Sequence, residues 1–135
     1  EDPCFLARLP SGFAILAKYQ PDGIVGGCML LPDPVVPSVN DLAPAARERF
    51  FGDMARLGDA ILAATGAARV NYLVLCNLVP ELHAHCVPRF AGEPLPQRHQ
   101  DPFEAYDFGA ARVADPDGAD RGLLLRLQGA LGERA

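Results

Sequence analysis

The sequence predicts an α+β domain in which an antiparallel sheet packs against one long helix. Three observations carry this prediction: a pair of short apolar runs separated by turn residues, one long amphipathic stretch, and a second pair of apolar runs after it. Strands joined by short links pair antiparallel, and a helix between two such pairs can bury its apolar stripe on the sheet. The length of 135 residues suits a single domain, which we expect to span residues 1–135.

The first predicted strand pair lies between residues 13 and 32. Phe13–Tyr19 is an apolar run, Pro21 and Gly23 favour a turn, and Gly26–Pro32 is the second run. These residues predict a hairpin. The prolines that follow in residues 33–37 indicate a loop.

The long helix is predicted from Pro44 to Thr65. Proline suits the first helical position because its missing N–H has no partner there, and Gly66 is a natural C-terminal cap. The apolar residues of this stretch recur at steps of three and four and form one stripe: Leu42, Ala46, Phe50, Met54, Leu57 and Ile61. We expect this stripe to pack on the sheet.

Two further strands are predicted at Arg69–Asn77 and Leu82–Phe90. Prolines and few aliphatic residues follow, so residues 96–135 are expected to form an irregular C-terminal tail that contains a short helix within Gly122–Leu131. The compact core is expected at about residues 13–95.

Composition narrows the function classes. The chain has 12 basic and 17 acidic residues and a net charge of −5, which argues against a general nucleic-acid binder. An acidic protein can still hold one mononucleotide through backbone N–H groups and imidazoles. Because no apolar stretch approaches ~18 residues, no transmembrane helix is expected, and we expect a cytoplasmic protein.

The four cysteines are far apart and form no C-x-x-C pair: Cys4, Cys28, Cys76 and Cys86. Three of them lie in apolar, strand-like runs, where a free thiol behaves as a small buried side chain. Reduced core thiols are therefore expected, with a disulfide framework or a cysteine metal site as the open alternatives.

The histidines carry the main chemical signal. His83 and His85 are separated by one residue in a predicted strand, so alternation places both side chains on one face, about 7 Å apart along the chain. Glu81 joins that face if the strand extends there, whereas Leu82, Ala84 and Cys86 point into the core. Such a face is either an exposed polar surface or the lining of a pocket.

The residues around this pair resemble the signature region of the histidine triad superfamily and its bacterial nucleotide hydrolases. That signature is His-x-His-x-His-x-x, often followed by Pro-Arg, and this chain has Pro80-Glu-Leu-His-Ala-His-Cys-Val-Pro-Arg89. Anchored on Pro88-Arg89, His85 takes the third histidine position, His83 the middle one, and Glu81 stands in place of the first. The resemblance covers about residues 13–95 and implies a histidine-triad-like antiparallel sheet of about five strands.

The resemblance also implies a reaction. The middle histidine, His83, would attack the α-phosphate of a dinucleoside polyphosphate or a nucleoside phosphoramidate, and water would hydrolyse the nucleotidyl-histidine. His85 would contact the phosphate, and the backbone carbonyl of residue 81 would orient the His83 ring. No metal ion or other cofactor is implied. Histidine triad proteins commonly pair through the helix and a sheet edge, so a homodimer is expected.

The resemblance further implies that Asn77 binds phosphate oxygens and that the first hairpin, in which Gln20 is a candidate, contacts the ribose and base. Arg89 is a candidate bidentate donor to the phosphate. Asp22 is a weaker candidate. Glu81 would border the phosphate, where its charge would repel the substrate. For Arg89 an ion pair with Glu81 or with a carboxylate of the tail is the alternative to phosphate binding.

Two other functions remain open at this stage. Glu81, an acidic Asp33 where relatives often carry basic residues, and a 78–81 link without Gly or Ser donors favour a catalytically weak or inactive nucleotide-binding protein. Alternatively, Glu81, His83 and His85, or His99 in place of one, supply ligands suited to zinc. His99 is otherwise expected to be exposed. The aromatic residues of the tail are expected to pin it onto the domain: Phe103, Tyr106 and Phe108.

Overall fold

The computed structural model describes residues 2–132, so residue 1 and residues 133–135, the end of the predicted tail, lie outside the described part of the chain. Its strands are β1 (Phe5–Leu9), β2 (Gly12–Leu16), β3 (Cys28–Pro32), β4 (Arg69–Leu73) and β5 (Ala84–Arg89), and its helices are α1 (Pro44–Thr65), α2 (Pro102–Ala105) and α3 (Arg121–Gly132). The strands form one antiparallel sheet in the order β1-β2-β3-β5-β4. The predicted α+β class is confirmed.

The first predicted hairpin is confirmed with shorter strands. β2 pairs with β3, and Phe13 lies opposite Leu31. The sequence prediction missed β1, which pairs with β2 on its other side. β1 is only five residues long and a proline follows it directly, so periodicity alone carries little signal there.

The long helix is confirmed from Pro44 to Thr65. Gly66 ends it in the left-handed conformation at φ 72°, and its N–H donates to the carbonyl of Leu62. The predicted stripe faces inward, since Phe50, Leu57 and Ile61 are fully buried.

The fourth strand is shorter than predicted, and this changes the approach to the histidines. β4 ends at Leu73 rather than at Asn77, and Cys76 adopts a positive φ of 55°. A non-glycine residue in this conformation turns the chain out of the sheet. The chain re-enters the sheet only at Ala84, so His83 lies one residue before β5 instead of inside it.

The core extends beyond residues 13–95. Leu6 and Leu9 of β1 and Leu123 and Leu127 of α3 belong to the same buried cluster as the central strands and α1. The apolar segment near the C-terminus is thus a 12-residue helix packed on α1 and β1, and the predicted core boundaries are too narrow.

The sheet has one covered face and one open face. Alternate residues of β2 and β3 are buried under the helices, and the residues between them are only half-buried on the other side. Met29 of this open face lies in register with His85. Within residues 2–132, no helix combines the length and apolarity needed to cross a bilayer.

Candidate functional site

The two histidines of the motif lie side by side at the start of β5. Their ring centroids are 5.0 Å apart, with the planes at 81°, and both residues are half-buried. The residues between and after them, Ala84 and Cys86, are fully buried in the core. The strand alternation that the sequence indicates therefore holds at this point, even though β5 begins one residue after His83.

The ring of His83 is held by its own chain. Its Nδ1 lies 2.6 Å from the backbone carbonyl oxygen of Glu81. A carbonyl can only accept, so Nδ1 carries the proton and donates it, which leaves the lone pair of a neutral ring on Nε2. Nε2 has no hydrogen-bond partner among residues 2–132. The Cys76 sulfur lies behind the ring, 3.9 Å from Nδ1.

His85 is kept neutral by its surroundings. Burial, and to a smaller extent the neighbouring His83, lowers the pKa of His85 from 6.5 to about 4. The ring of Phe103, from the tail, packs edge-on against it with centroids 5.0 Å apart, and Phe108 packs on Phe103 in turn. Near pH 7, His85 can donate or accept one hydrogen bond but brings no positive charge.

An open cleft of about 330 Å³ begins at His83. Its lining is mostly apolar and comes from β2, β3, the loop that follows β3 and the loop that precedes β5: Phe13, Met29, Leu31, Pro32, Val35, Val79 and Leu82, with Asp33, Glu81 and His83 as the ionisable members. The sequence prediction missed the apolar lining. Its signal is the alternation of β2 and β3, which places Phe13, Met29 and Leu31 on the face opposite the core.

The cleft contains carboxylates and no unpaired cation among the described residues that line it. Arg8, the nearby cation, forms a 2.6 Å ion pair with Asp33 and lies over the ring of Phe13, 4.6 Å from its centroid. The side chain of Glu81 is exposed at the rim. The electrostatic environment of His83 is therefore neutral to negative.

Arg89, a predicted substrate-binding residue, has no donor left for a substrate. Its guanidinium donates from Nε and Nη2 to Glu93, from Nη1 to the Asn71 side chain and the Gln100 carbonyl, and from Nη2 to the Gln97 carbonyl. These bonds use all five of its N–H groups. The residue is also 5% exposed. The prediction for Arg89 is corrected: the alternative, an ion pair with a tail carboxylate, is the one observed.

Gln20 is corrected in the same way. It is fully buried, its Nε2 donates to the carbonyls of Ala17 and Gly27, and its Oε1 accepts the N–H of Gly26. These three bonds clamp the loop between β2 and β3. The amide therefore holds the hairpin and does not face a ligand.

The remaining candidates lie at the surface. Asn77 is exposed in the loop after β4, and no hydrogen bond joins its side chain to His83 or His85 within residues 2–132. His99 is exposed in a 3₁₀ turn, where it lines a different concavity, beside Arg69 and Arg98. Glu81, His83 and His85 form no metal-ligating group of three in the described part of the chain, so the zinc alternative lacks its ligand set.

No family model matches the chain, and no curated protein matches it in sequence. Solved structures do match. A histidine triad protein from Bradyrhizobium japonicum aligns with a TM-score of 0.76 and 19% identity over 94% of this chain and 89% of that chain.

Two further structures agree with this match. A histidine triad protein from Sinorhizobium meliloti 1021 has a TM-score of 0.76 and 21% identity over 93% of this chain and 87% of that one. A hypothetical histidine triad nucleotide-binding protein from Sulfolobus tokodaii has a TM-score of 0.72 and 15% identity over 96% of this chain and 84% of that one. The chain therefore has the histidine triad fold, and the predicted resemblance is confirmed at the level of the fold.

Proposed function

We propose that this protein is a histidine triad hydrolase or transferase that cleaves nucleotide conjugates at the α-phosphate, with His83 as the nucleophile. The observation that carries the proposal is the bond from His83 Nδ1 to the carbonyl of Glu81, beside a cleft that His83 itself lines. This bond selects the neutral tautomer with its lone pair on Nε2. The similarity in fold to a histidine triad nucleotide-binding protein supports the choice of a nucleotide.

The chemistry proceeds in two displacements. Nε2 donates its lone pair to the α-phosphorus, and the bond from phosphorus to the leaving group breaks with its electrons on the leaving atom, which then takes a proton from the solvent. The ring becomes an imidazolium, whose Nδ1–H donates more strongly to the Glu81 carbonyl. Water then adds to phosphorus and loses a proton, the Nε2–P bond breaks, and the nucleoside monophosphate leaves.

His85 would contact a phosphate oxygen in this scheme. A neutral imidazole offers a single N–H, so it orients the phosphate and neutralises none of its charge. The Phe103 ring that packs on His85 limits its movement. Asn77, on the exposed loop beside Cys76, remains a proposed phosphate contact that needs the loop to move inward.

A second candidate, nucleotide binding without turnover, is favoured by the charge of the cleft. Glu81 is exposed at the rim, and Arg8 is already paired with Asp33. With no free cation among the described residues that line the cleft to stabilise the charge that develops on phosphate, turnover would be slow while binding persists. Activity measurements separate the two candidates.

The test is a panel of nucleotide conjugates with the native protein, His83→Ala and His99→Ala. We expect release of nucleoside monophosphate by the native protein, a loss of ~10³-fold or more in His83→Ala, and native rates in His99→Ala, whose histidine lies outside the cleft. Mass spectrometry of rapidly quenched protein should detect the nucleotidyl adduct. Turnover that survives in His83→Ala would refute this mechanism. AMP binding without any product would support the second candidate.

We also propose that the protein is a homodimer, paired through the α1 and β4 surface. β4 is one of the two edge strands of the sheet, and Tyr72 of β4 and Phe51 and Leu62 of α1 are exposed. The Tyr72 side chain packs against α1 at Gly58. Any larger residue at position 58 would place a Cβ on the Tyr72 hydroxyl group. Light scattering should give twice the chain mass for the native protein and for Leu125→Glu, and the chain mass for Tyr72→Glu. A native monomer at micromolar concentration would exclude the dimer.

A further inference from the structure

We infer that the open face of the sheet carries a second binding site, for a small molecule with a phosphate monoester group, at the carboxyl end of β5. Two adjoining concavities of about 410 and 470 Å³ form this site, which we call the arginine concavity. Four residues line both of them: Arg69, Arg89, Arg98 and His99. Among the described residues, none lines both the arginine concavity and the cleft at His83. The site is therefore independent of the proposed reaction.

The register of β4 and β5 sets the position of the arginine concavity. Arg69 lies opposite Arg89, and Leu73 lies opposite His85, so alternation places Arg69 on the same face of the sheet as His85. Arg89 follows His85 by four strand residues, a distance of about 13 Å along β5. Tyr72, which belongs to the proposed dimer surface, points to the other face of β4. The arginine concavity is thus distinct from the histidine pair and from that surface.

Two arginines of the concavity have N–H donors to offer. Arg69 and Arg98 are both exposed. Within residues 2–132, the Arg69 side chain makes no hydrogen bond or ion pair, and that of Arg98 makes one hydrogen bond of 3.4 Å, from Nη1 to the carbonyl of Ala91. Guanidinium groups bind phosphate oxygens through pairs of N–H donors, and His99 adds ring nitrogens to the same lining. These groups together can surround one phosphate.

The carboxylates that line the concavity have partners already. Glu93 is paired with Arg89 at 2.9 Å, so the two charges cancel. Asp101 accepts two backbone N–H groups at the start of α2. The guanidinium groups of Arg69 and Arg98 therefore outnumber the remaining carboxylate. In a chain of net charge −5, this local excess of positive charge favours an anionic ligand here, whereas the cleft at the histidines has carboxylates and no free cation among its described lining residues.

The size and the apolar part of the lining indicate a phosphorylated organic molecule. Volumes of about 410 and 470 Å³ are typical of small-molecule sites and leave room beside a single phosphate. Ala68, Phe90 and Ala91 supply carbon surface for the organic part of such a ligand. A phosphate monoester carries roughly −1.5 to −2 charges at pH 7. Two guanidinium groups complement this charge better than the single charge of a carboxylate.

The walls of the concavity come from two separate segments. Arg69 belongs to β4, whereas Arg98 and His99 belong to the 3₁₀ turn Gln97–His99 of the tail. A phosphate held by both arginines would link this turn to the sheet. Since such a ligand binds only the folded chain, binding should also raise the melting temperature.

The experiment measures binding to the full chain by calorimetry and by thermal melts, with ribose 5-phosphate, inorganic phosphate and ribose as the probes. We expect a Kd of about 1 mM or below for ribose 5-phosphate, because two charge-assisted contacts form. Inorganic phosphate should bind about 3- to 10-fold more weakly, since it leaves the carbon surface exposed, and ribose should not bind. Equal affinity for the ester and the free ion would overturn the assignment of a monoester. The absence of binding by both would overturn the site.

Matched variants locate the ligand. Arg69→Ala and Arg98→Ala should each weaken binding of ribose 5-phosphate about 10-fold. Arg121→Ala removes the same charge at an exposed arginine of α3 outside the concavity and should bind like the native protein. Unchanged binding in both concavity variants would overturn the inference.

A further variant separates this site from the proposed reaction. His83→Ala should bind ribose 5-phosphate like the native protein, because His83 lies outside the concavity. Arg98→Ala should release nucleoside monophosphate at the native rate, so either proposal can fail while the other stands. Binding that is lost in His83→Ala and kept in Arg98→Ala would place the ligand in the cleft and overturn the inference.

Discussion

The two ends of β5 both carry ionisable side chains, but their hydrogen bonding is opposite. At the carboxyl end, Arg89 has a partner for every N–H, and Glu93 accepts from Arg89, Tyr106 and the Phe90 backbone. At the amino end, His83 makes one ring hydrogen bond to its own chain and lines an open cleft. Saturated polar groups stabilise a fold, whereas polar atoms left open beside a cavity are available to a ligand.

The Arg89 cluster also explains how the tail is attached. The bonds of Arg89 to the carbonyls of Gln97 and Gln100 hold the start of the tail, and Tyr106 holds its next turn through Glu93. Burial acts to raise the pKa of Glu93, but its bonds to Arg89, Tyr106 and the Phe90 N–H outweigh burial and lower it. The cluster is therefore ionised and structural. The tail that it fixes brings Phe103 onto His85.

The largest effect should follow from Arg89→Ala, which leaves the buried Glu93 carboxylate without its cation. We expect a loss of about 3–5 kcal/mol in the free energy of unfolding, measured by urea denaturation. The control Arg98→Ala, at an exposed residue, should lose less than ~0.5 kcal/mol. If Arg89→Ala were nearly as stable as the native protein but failed to bind nucleotide, Arg89 would be a substrate-binding residue. The proposed difference between the two ends of β5 would then be wrong.

A smaller loss of stability is expected when the pH is lowered. The pKa of His85 is about 4 in the folded protein and near 6.5 when unfolded, so between these values the unfolded chain binds more protons. Stability should be complete above pH 6.5 and fall as the pH is lowered towards 4. The full shift corresponds to ~3 kcal/mol, and partial exposure reduces it to about 1–2 kcal/mol.

Thermal melts at several pH values test this expectation by comparison with His85→Gln. The variant should lose that part of the pH dependence, and His99→Gln, at an exposed histidine, should keep it. Identical profiles for the native protein and His85→Gln would show that His85 is not kept neutral by its surroundings.

Tyr106→Phe tests the same buried cluster, and we expect it to lower the stability of the fold less than Arg89→Ala does. Burial and the bond to Glu93 raise the pKa of Tyr106 to about 12, so the hydroxyl remains a donor to a buried carboxylate. Its removal should lower the free energy of unfolding by about 1–2 kcal/mol. Tyr19→Phe, at a tyrosine that is 36% exposed, serves as the control. An equal change in both variants would contradict a special role for the Glu93 bond.

The smallest expected effect is an increase in nucleotide affinity or in kcat/KM, in the variant Glu81→Gln. Glu81→Gln removes a negative charge beside the cleft and keeps the backbone carbonyl that orients His83. We expect nucleotide affinity or kcat/KM to rise about 3- to 5-fold at low salt, and less at high salt, because the repulsion is screened. Asp41→Asn, which removes an exposed charge outside the cleft, should leave both unchanged. A loss of activity in Glu81→Gln would show that the carboxylate takes part in the reaction.

The local sequence pattern was enough to predict the long helix and the position of the two histidines on one face. The spacing of Phe50, Leu57 and Ile61 and the signals at Pro44 and Gly66 are local, so the helix could be predicted to the residue. Alternation likewise places His83 and His85 side by side, since it depends only on the chain passing through a strand. β1 was missed because its five residues carry little periodicity. The partners of Arg89 and Gln20 could not be predicted because they depend on how the tail and the hairpin loop fold back on these side chains, which periodicity does not describe.

By itself, the sequence determined the α+β class, the helix, and a pair of imidazoles on one side of the sheet, because propensity and periodicity act within a few residues. Only the tertiary structure decided which polar side chains have all their hydrogen bonds satisfied within the protein. Arg89 and Gln20 look like ligand contacts in the sequence but meet the tail and a hairpin loop in space. The cleft is also a tertiary property, since its walls come from two strands and two loops that the chain brings together only when folded.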